Sequence, residues 1–331
     1  LRGHHLPTGA PLQRAAYRCS WAGGAAAGTA MMGEHNPQRG AALVVAMLLT
    51  ALGAAVATQM IVPLSGWIER EYRARDTQAS YTLADAAASW AITVLAGDLR
   101  LGPIDHYGEI WATPLPPTPV EGGTIEGRIT DLQARFNLNA VAPRGSKSAP
   151  NIVLARALFV KAGVSPALVD ALADAIDRDE VTDEGQSERQ RYGRVLRNAP
   201  LMRIGQLLEV PGFNEDHVRA LSTVAVVLPD ASTINANTAS RGLIATAFPA
   251  APNDVLDRAI SRRAQQPFAS GDDLAAALGQ PALPGVFSAN TQYFGVEAVI
   301  RFERVAHRLQ LQIARLPNAR PVIISRIISN A

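Results

Sequence analysis

The residues best suited to chemistry form an acidic segment in the middle of the chain. It runs from Asp177 to Glu188 with the sequence DRDEVTDEGQSE. Carboxylate oxygens at short spacing, with Gly185 to permit a tight turn, are what a hard cation such as calcium requires. The spacing is not that of an EF-hand loop. The residues alone leave two interpretations open, a calcium site and a solvated acidic loop.

Other residues that often carry catalysis do not form a recognisable constellation. The histidines beyond residue 40 are His106, His217 and His307, and they lie in unrelated sequence contexts. The chain contains no G-x-S-x-G, H-E-x-x-H or P-loop sequence. The acidic segment has no partner base in the sequence around it. We therefore expect a protein that is not an enzyme.

Composition and charge limit the remaining classes of protein. The 331 residues are 48% apolar and 18% charged, which is typical of a globular chain with one large or two ordinary domains. A formal net charge of +2 predicts no strongly basic face, so we expect no nucleic-acid partner. The only cysteine, Cys19, cannot form an intrachain disulfide.

A long apolar segment near the N-terminus predicts a membrane helix. No charged side chain occurs between Ala41 and Ile68, and roughly 20 apolar residues are enough to cross a bilayer as a helix. Arg39 stands directly before the segment and favours a cytoplasmic N-terminus. A buried core helix and an unprocessed signal anchor are the alternatives. Residues 1–40 are interpreted as upstream readthrough plus a short leader, with the true start at Met32.

The helix is expected to continue past the membrane. Residues 41–64 form the predicted transmembrane part, Pro63 predicts a kink or local break, and residues 65–100 form an amphipathic continuation. Apolar residues recur along this continuation at helical spacing, and they are the predicted buried face: Leu83, Ala87, Trp90, Ile92, Val94 and Leu95.

Beyond the helix, a Pro- and Gly-rich stretch at 102–123 predicts a loop. Alternating apolar and polar residues predict strands at 124–129, 293–302 and 305–313, with a short turn at Glu303-Arg304. A further strand is expected at 321–325. Helical spacing of apolar residues predicts helices between residues 151 and 176, and the region up to about residue 284 reads as mainly helical.

Several segments resemble one known family. The run DLQARFNLN at 131–139 is similar to the signature of type II secretion protein K, with Ala134 in place of the usual Gly. The segments NAPL at 198–201, VPGF at 210–213, NANTAS at 235–240 and PFASGDDL at 267–274 follow in the order found in that family. The leader and apolar segment resemble a type IV prepilin signal.

This resemblance implies an α+β fold with a long N-terminal transmembrane helix and a pilin-like α/β roll that carries a large all-helical insertion. The antiparallel sheet is expected from residues 101–145 and 285–331. The insertion is expected at 146–284, with helix-hairpin-helix-like segments.

The family's processing implies a cut between Gly40 and Ala41 by a prepilin peptidase, followed by N-methylation of Ala41. Most pilins carry a Glu four residues after the cut, where this chain has Val45. In the family that Glu meets the N-terminal amine of a neighbouring subunit. A subunit at the fibre tip has no such neighbour above it, so an apolar Val45 suits a tip position.

The resemblance also implies partners and a metal. The partners would be I-type and J-type minor pseudopilins, the major pseudopilin and the inner-membrane assembly platform. The implied location is the bacterial inner membrane, with one span, a cytoplasmic N-terminus and a periplasmic head. Calcium would bind through Asp177, Asp179 and Glu188. Gly185 precedes Glu188 by three residues where the family has two, so the segment departs from the family pattern. Ca²⁺ is the one cofactor that the resemblance suggests, and no other is expected.

Two alternatives stay open on the sequence. One is a minor pilin of a type IV pilus or competence system. The other is a membrane-anchored helix-hairpin-helix protein that binds DNA, because INANTAS and PFASGDDL also resemble such modules. The second is disfavoured, since Pro249 and Pro252 remove N–H donors where a phosphate-binding hairpin needs them.

Overall fold

The computed structural model of the protein describes residues 38–182, 185–229 and 231–331. The expected leader up to residue 37, the Met32 start and Cys19 lie outside the described residues. The chain divides into two units, residues 1–65 and residues 66–331. Helix α1 spans Gln38–Asp98.

In the first unit, the described residues are helical. The apolar stretch Gly40–Met60 covers 21 residues with a mean hydropathy of 2.3, and none of it is buried. This length and polarity are sufficient to cross a membrane. The helical assignment continues through Pro63, so the predicted local break is not found. A proline removes a single backbone donor, and a long helix tolerates that loss.

The second unit combines nine strands and seven further helices among the described residues. The strands are β1 (Leu115–Val120), β2 (Gly123–Asp131), β3 (Phe136–Asn137), β4 (Ala225–Val226), β5 (Ile234–Asn235), β6 (Phe287–Ser288), β7 (Tyr293–Phe302), β8 (Val305–Ala314) and β9 (Val322–Asn330). The helices are α2 (Ala149–Lys161), α3 (Leu168–Ile176), α4 (Glu188–Tyr192), α5 (Glu215–Leu221), α6 (Arg241–Ala247), α7 (Asn253–Arg263) and α8 (Gly271–Leu278).

Five of the strands form one antiparallel sheet in the order β1-β2-β7-β8-β9. The expected alternation is confirmed, because Val296 and Ile300 of β7 are buried whereas Glu297 and Arg301 are exposed. The predicted turn at Glu303-Arg304 joins β7 to β8. Strand β9 extends to Asn330, five residues beyond the predicted strand.

The predicted loop at 102–123 was wrong in part, because it contains β1. This strand carries three prolines, and a proline has no backbone N–H to donate to a neighbouring strand. β1 lies at the edge of the sheet and pairs only with β2. An edge strand needs hydrogen bonds on one side alone, and this position explains why a proline-rich sequence can be extended and paired.

Small side chains form the contact between α1 and the sheet. Ala84, Ala88, Ala91 and Leu95 are buried and recur at helical spacing. They pack on sheet residues that include Ile129, Phe294 and Leu309, together with Trp111. The predicted buried position at Trp90 was wrong, since its side chain is 38% exposed. Alanine lets the helix approach the sheet closely, and the large residues flank that line.

A second core lies within the helical region. It joins α2, α3 and α5 to α8 around buried side chains such as Phe159, Leu172 and Phe268. The predicted insertion at 146–284 is helical except for two short strands, β4 and β5, which form parallel ladders with strands just outside it. β3 pairs with β4, and β5 pairs with β6. Through these ladders the DLQARFNLN and INANTAS segments pair with distant parts of the chain.

Candidate functional site: the acidic loop and its unpaired oxygens

The acidic segment forms a loop between α3 and α4, of which residues 183 and 184 lie outside the description. Its two sides are joined by a bridge between Val181 and Ser187. The amide of Glu188 donates to the carbonyl of Glu180 at 3.0 Å. Gly185 has a φ of +75°, a conformation that glycine adopts without a steric penalty. The predicted role of Gly185 in a tight turn is confirmed.

Four side-chain oxygens in and next to this loop are buried and have no hydrogen-bond partner among the described residues. They are Asp177 Oδ1, Thr182 Oγ1, Glu188 Oε1 and Asn198 Oδ1, called the loop oxygens below. Buried polar groups nearly always have partners, and an unpaired carboxylate oxygen costs about 1–3 kcal/mol or more. Their common property is that each can coordinate a hard cation.

Charge compensation at the loop is incomplete. Lys147 Nζ lies 2.5 Å from Asp174 Oδ1 and 3.3 Å from Asp177 Oδ2. Burial nevertheless raises the pKa of Asp177 to about 6, against the lowering effect of Lys147. Burial likewise raises the pKa of Glu188, and the amide of Leu196 opposes it by donating to Oε2 at 2.6 Å. Lys147 therefore pairs with two of the three buried acids at this site, Asp174 and Asp177, and Glu188 is the third.

The three residues predicted as metal ligands do not have equivalent surroundings. Asp177 and Glu188 are buried, whereas Asp179 is exposed and its Oδ1 accepts from the amide of Val181 at 2.9 Å. Among the described residues, Asp177, Asp179 and Glu188 do not bring three ligand atoms within 4.8 Å of one another. Their joint binding of a cation stays a prediction. Sequence reasoning missed Thr182 and Asn198, because neither is acidic and Asn198 lies ten residues beyond the segment.

Tyr192 and Asp174 complete the surroundings of the loop. The Tyr192 hydroxyl donates to Asp174 Oδ2 at 2.7 Å. Burial and this carboxylate raise the pKa of Tyr192, so it stays a neutral donor. Both oxygens of Asp174 are thus occupied, one by Tyr192 and the other by Lys147.

A separate group of acids lies where α1 ends. Within the described ranges, Asp98, Asp105 and Glu109 are the one group of three metal-ligand side chains whose ligand atoms all lie within 4.8 Å. Arg315 occupies this position with its guanidinium, which donates to Asp98 Oδ2 at 2.5 Å and also to Asp105. We call Asp98, Asp105 and Arg315 the arginine cluster. The cluster was not predictable from the sequence, because Arg315 lies more than 200 residues beyond both acids.

The signature segments meet in a buried polar centre around Asp131. Its Oδ2 accepts from Thr238 at 2.5 Å, from Thr291 at 2.6 Å and from Asn235 at 2.9 Å. Its Oδ1 accepts from the amide of Gln133. Asn139, later in the same run, bonds to both the amide and the carbonyl of Leu201. The DLQARFNLN run therefore holds INANTAS and NAPL in place and carries no reactive group.

The VPGF hairpin is packed and not open to a ligand. Gly212 has a φ of +87°, and a Cβ there would lie 2.6 Å from a methyl carbon of Leu168. The amide of Phe213 donates to the carbonyl of Val210. A phosphate-binding hairpin presents free N–H groups, so this geometry favours a structural role.

The predicted processing site lies in helix α1. Gly40, Ala41 and Val45 are exposed, and Val45 retains 56% of its accessible surface. Apart from its chain neighbours and its own helix backbone, no described residue has an atom within 4 Å of the position that a Cβ on Gly40 would occupy. These positions carry no hydrogen-bonding chemistry of their own, and the cut between Gly40 and Ala41 stays a prediction.

Comparison with known proteins decides between the open alternatives. Two family models described as "Type II secretion system (T2SS), protein K" match residues 134–230 and 234–297. The type II secretion system protein K of Klebsiella pneumoniae is 30% identical over 276 residues, which cover 75% of this chain and 81% of the relative. The chain belongs to the type II secretion system protein K family.

Further relatives support the same family. The protein K of Pseudomonas aeruginosa is 28% identical over 281 residues, covering 78% of this chain and 83% of that protein. A chain from the crystal structure of the GspK-GspI-GspJ complex of enterotoxigenic Escherichia coli matches with a TM-score of 0.64 and 21% identity. It is covered completely and matches 79% of this chain, so the mixed helix and sheet fold is that of protein K.

Family membership also explains the segments that suggested DNA binding. Both INANTAS and PFASGDDL fall within residues 234–297, which the second family model covers. Protein K is a structural component of the secretion system, and its family is not one of known enzymes. The chain thus fits a minor pseudopilin with one candidate membrane helix at Gly40–Met60.

Proposed function

We propose that this protein K is a minor pseudopilin at the tip of the type II secretion pseudopilus, where it supports export of folded proteins across the outer membrane. The observation that carries the proposal is the combination of the family match over residues 134–297 with an apolar helix of 21 residues before it. A head without an anchor would not assemble into a membrane-based fibre.

The anchor is the stretch Gly40–Met60, inserted in the inner membrane with the cytoplasm at its N-terminal end. Prepilin peptidase cuts between Gly40 and Ala41 and methylates Ala41. The exposed Val45 then lies among apolar side chains and lipid without the cost of a buried carboxylate. The periplasmic part follows the anchor: an amphipathic helix at 65–100, the sheet from 101–145 and 285–331, and the helical insertion at 146–284.

The partners are the I-type and J-type minor pseudopilins, the major pseudopilin and the assembly platform. The structural neighbour comes from a complex named GspK-GspI-GspJ, and the shared fold supports the same type of assembly here. The exposed apolar surface of the first unit supports association through packing of transmembrane helices.

The acidic loop holds calcium in this proposal. Two of the loop oxygens belong to carboxylates, Asp177 and Glu188, and two to neutral groups, Thr182 and Asn198. This donor set fits calcium, which takes six to eight oxygen ligands including neutral ones and water. Bound calcium would neutralise the buried acids. Asp179 is exposed, so it would contribute from the open side of the loop.

The decisive experiment is the N-terminal mass of the protein isolated from membranes, with and without an active prepilin peptidase. We expect a chain that begins at methylated Ala41 only when the peptidase is active. Gly40→Val should block the cut, because the peptidase requires the small residue before it. Gly53→Val, in the same helix and equally free of contacts, is the matched control and should be cut normally.

An uncut leader in both cells would overturn the pilin-like processing and leave an ordinary signal anchor. Co-purification of the methylated chain with the I-type and J-type subunits, and its loss in Gly40→Val, would extend the result to assembly. Normal processing without either partner would contradict the tip position and retain the membrane anchor.

A further inference from the structure

A cavity of about 340 Å³ opens between the start of the DLQARFNLN run and the helices α2 and α6. Its apolar wall includes Leu158, Val224 and Leu243. Two cationic side chains, Arg135 and Lys161, also line it. Because the volume lies in the usual range for small-molecule sites, the cavity can enclose a small group.

Arg135 is a partly buried cation with little compensation. Its guanidinium donates to the carbonyl oxygen of Ser222 at 3.3 Å. Among residues 38–182, 185–229 and 231–331 it forms no ion pair with a carboxylate. Burial lowers the pKa of Arg135, and the more distant Glu297 opposes this effect. Glu297 itself is paired with Arg128 at 2.6 Å.

Lys161 is the second cation of the cavity; it lies at the last turn of α2 and is exposed. Its ammonium donates to the carbonyl oxygen of Gly242 at 3.0 Å and to Thr246 Oγ1 at 3.4 Å. In the part of the chain that the structure describes, it has no acidic partner either. A Cβ on Gly242 would lie 2.9 Å from the ammonium, so glycine is what lets Lys161 rest there.

The cavity therefore combines two cations with an apolar wall, and no Asp or Glu is among its described lining residues. We propose that it binds a carboxylate carried on a small apolar body, with Arg135 and Lys161 as its charge partners. A guanidinium matches the two oxygens of a carboxylate in a bidentate fork. The ammonium supplies a second charge, and the apolar body packs on Leu158 and Leu243.

The size of the cavity limits the ligand. At about 30 Å³ for each water molecule, its volume corresponds to on the order of ten waters. That is enough for one amino-acid side chain with its carboxylate, and too little for a folded segment. The carboxylate is either the C-terminal residue of a peptide chain or a free organic acid. The site is independent of the proposed tip position.

The test uses the full chain in nanodiscs of phosphatidylcholine, titrated with N-acetyl-leucine by isothermal calorimetry. We expect saturable binding with a Kd of about 1 mM, as befits a small ligand. N-acetyl-leucinamide has the same shape without the charge and should bind at least about tenfold more weakly. No saturation by about 20 mM acid, or equal affinity for the amide, would overturn the proposal.

Substitutions assign the binding to this cavity. Arg135→Gln and Lys161→Gln should each weaken binding of N-acetyl-leucine by about tenfold or more. Arg258→Gln is the matched control, since Arg258 is exposed and pairs with Asp254. Lys161 is itself exposed, so its variant tests the site even if Arg135→Gln lowers the stability of the fold. Unchanged affinity in Lys161→Gln with a native melting temperature would contradict the assignment.

Two further ligands define the chemistry. Inorganic phosphate that competes as strongly as N-acetyl-leucine would overturn the need for an apolar body and indicate a simple anion site. A peptide that ends in Ala-Leu with a free carboxylate distinguishes the sources. Tighter binding of the peptide than of N-acetyl-leucine assigns the site to a protein C-terminus, and weaker binding assigns it to a free acid; both results retain the carboxylate site.

Discussion

The arginine cluster and the acidic loop bury similar numbers of carboxylates in the second unit, but they compensate the charge differently. Arg315 is 3% exposed and bonds to Asp98, Asp105 and the carbonyl of Thr291. At the loop, Lys147 is partly exposed and reaches Asp174 and Asp177. In the part of the chain that the structure describes, the four loop oxygens have no hydrogen-bond partner.

This difference separates a structural ion pair from a candidate metal site. In the arginine cluster the unpaired atoms are Asp98 Oδ1 and Arg315 Nε, an acceptor and a donor. At the loop all of the unpaired atoms are oxygens. A cation of the chain itself, Arg315, compensates the charge of the first group. The second group offers oxygens alone, and we expect calcium to bind them.

The largest effect is expected from Arg315→Met, which removes the internal cation and leaves Asp98 and Asp105 buried. Breaking a buried pair in this way costs about 3–5 kcal/mol. Urea unfolding of the chain in detergent micelles, followed by tryptophan fluorescence, measures the loss. Trp111 is fully buried and packs 5.2 Å from Phe294, so its emission reports on this part of the core.

Arg326→Met is the matched control for that measurement. Arg326 pairs with Asp85 at 2.6 Å, but both side chains are substantially exposed, so the loss should be within about 1 kcal/mol. Adding Asp98→Asn and Asp105→Asn to Arg315→Met should recover part of the stability. A loss below 1 kcal/mol in Arg315→Met alone would show that the cluster is hydrated and not a buried ion pair.

The next effect is a pH dependence that Asp105 imposes. Burial raises the pKa of Asp105 from 3.8 to about 6 against the opposing field of Arg315. The folded state thus holds a proton that the unfolded chain has released. The stabilisation from this proton is fully present below about pH 4 and is lost as the pH rises through about 6. The total loss is about 3 kcal/mol.

Asp105→Asn removes this titration. We expect the difference in unfolding free energy between wild type and the variant to change by up to about 3 kcal/mol between pH 4 and pH 6.5, then to stay constant. Asp216→Asn, at an exposed acid, provides the reference slope. Parallel curves for wild type and Asp105→Asn over this range would contradict the raised pKa.

Calcium should stabilise the fold through the acidic loop. A ligand at 100 times its Kd adds about 2.7 kcal/mol to the unfolding free energy. We therefore expect millimolar calcium to raise the melting temperature, and magnesium to do so less because it requires a stricter octahedral geometry. Asp177→Asn and Glu188→Gln should each remove most of the gain.

Asp216→Asn serves again as the control and should keep the full calcium response, because its side chain is exposed and pairs with Arg219. Arg315→Met should lower the baseline and leave the calcium increment unchanged. A calcium gain that survives Glu188→Gln would place the ion elsewhere in the chain. No gain at millimolar calcium would leave the loop as a solvated acidic segment.

The strands show how far the sequence predicts this fold. Alternation in β7 and β8 identified both the strands and their buried faces, because one face of each strand packs on α1. The stripe on α1 was harder to predict, since it consists of Ala84, Ala88 and Ala91. Alanine occurs on both buried and exposed helix faces, so its position carries little signal before the sheet is known.

The candidate metal site was likewise predictable only in part. Asp177 and Glu188 were predictable because acids cluster in sequence around a glycine. Asn198 and Thr182 were not, because a neutral oxygen is recognised only when burial leaves it without a partner. Arg315 was also unpredictable, since it meets Asp98 across 217 residues. Local chemistry follows from local sequence, whereas compensation of charge depends on tertiary contacts.

The smallest expected effect concerns the turn that brings the two sides of the acidic loop together. Gly185 has a φ of +75°, where a side chain costs about 1 kcal/mol. Gly185→Ala should lower the stability by about that amount and weaken calcium binding. The reason is that Thr182, Gln186 and Glu188 are held by backbone bonds across the turn.

Gly205→Ala is the matched control, because Gly205 does not have a positive φ and has no atom within 4 Å of a Cβ. It should be neutral to slightly stabilising. If Gly185→Ala loses stability in calcium-free buffer but keeps its calcium increment, the turn supports the fold and the ligands are positioned by α3 and α4 instead. If the increment falls while Gly205→Ala retains it, the loop differs from the arginine cluster as argued: its oxygens are positioned by a turn for an external cation, whereas the acids of the arginine cluster are held by a cation of the chain itself.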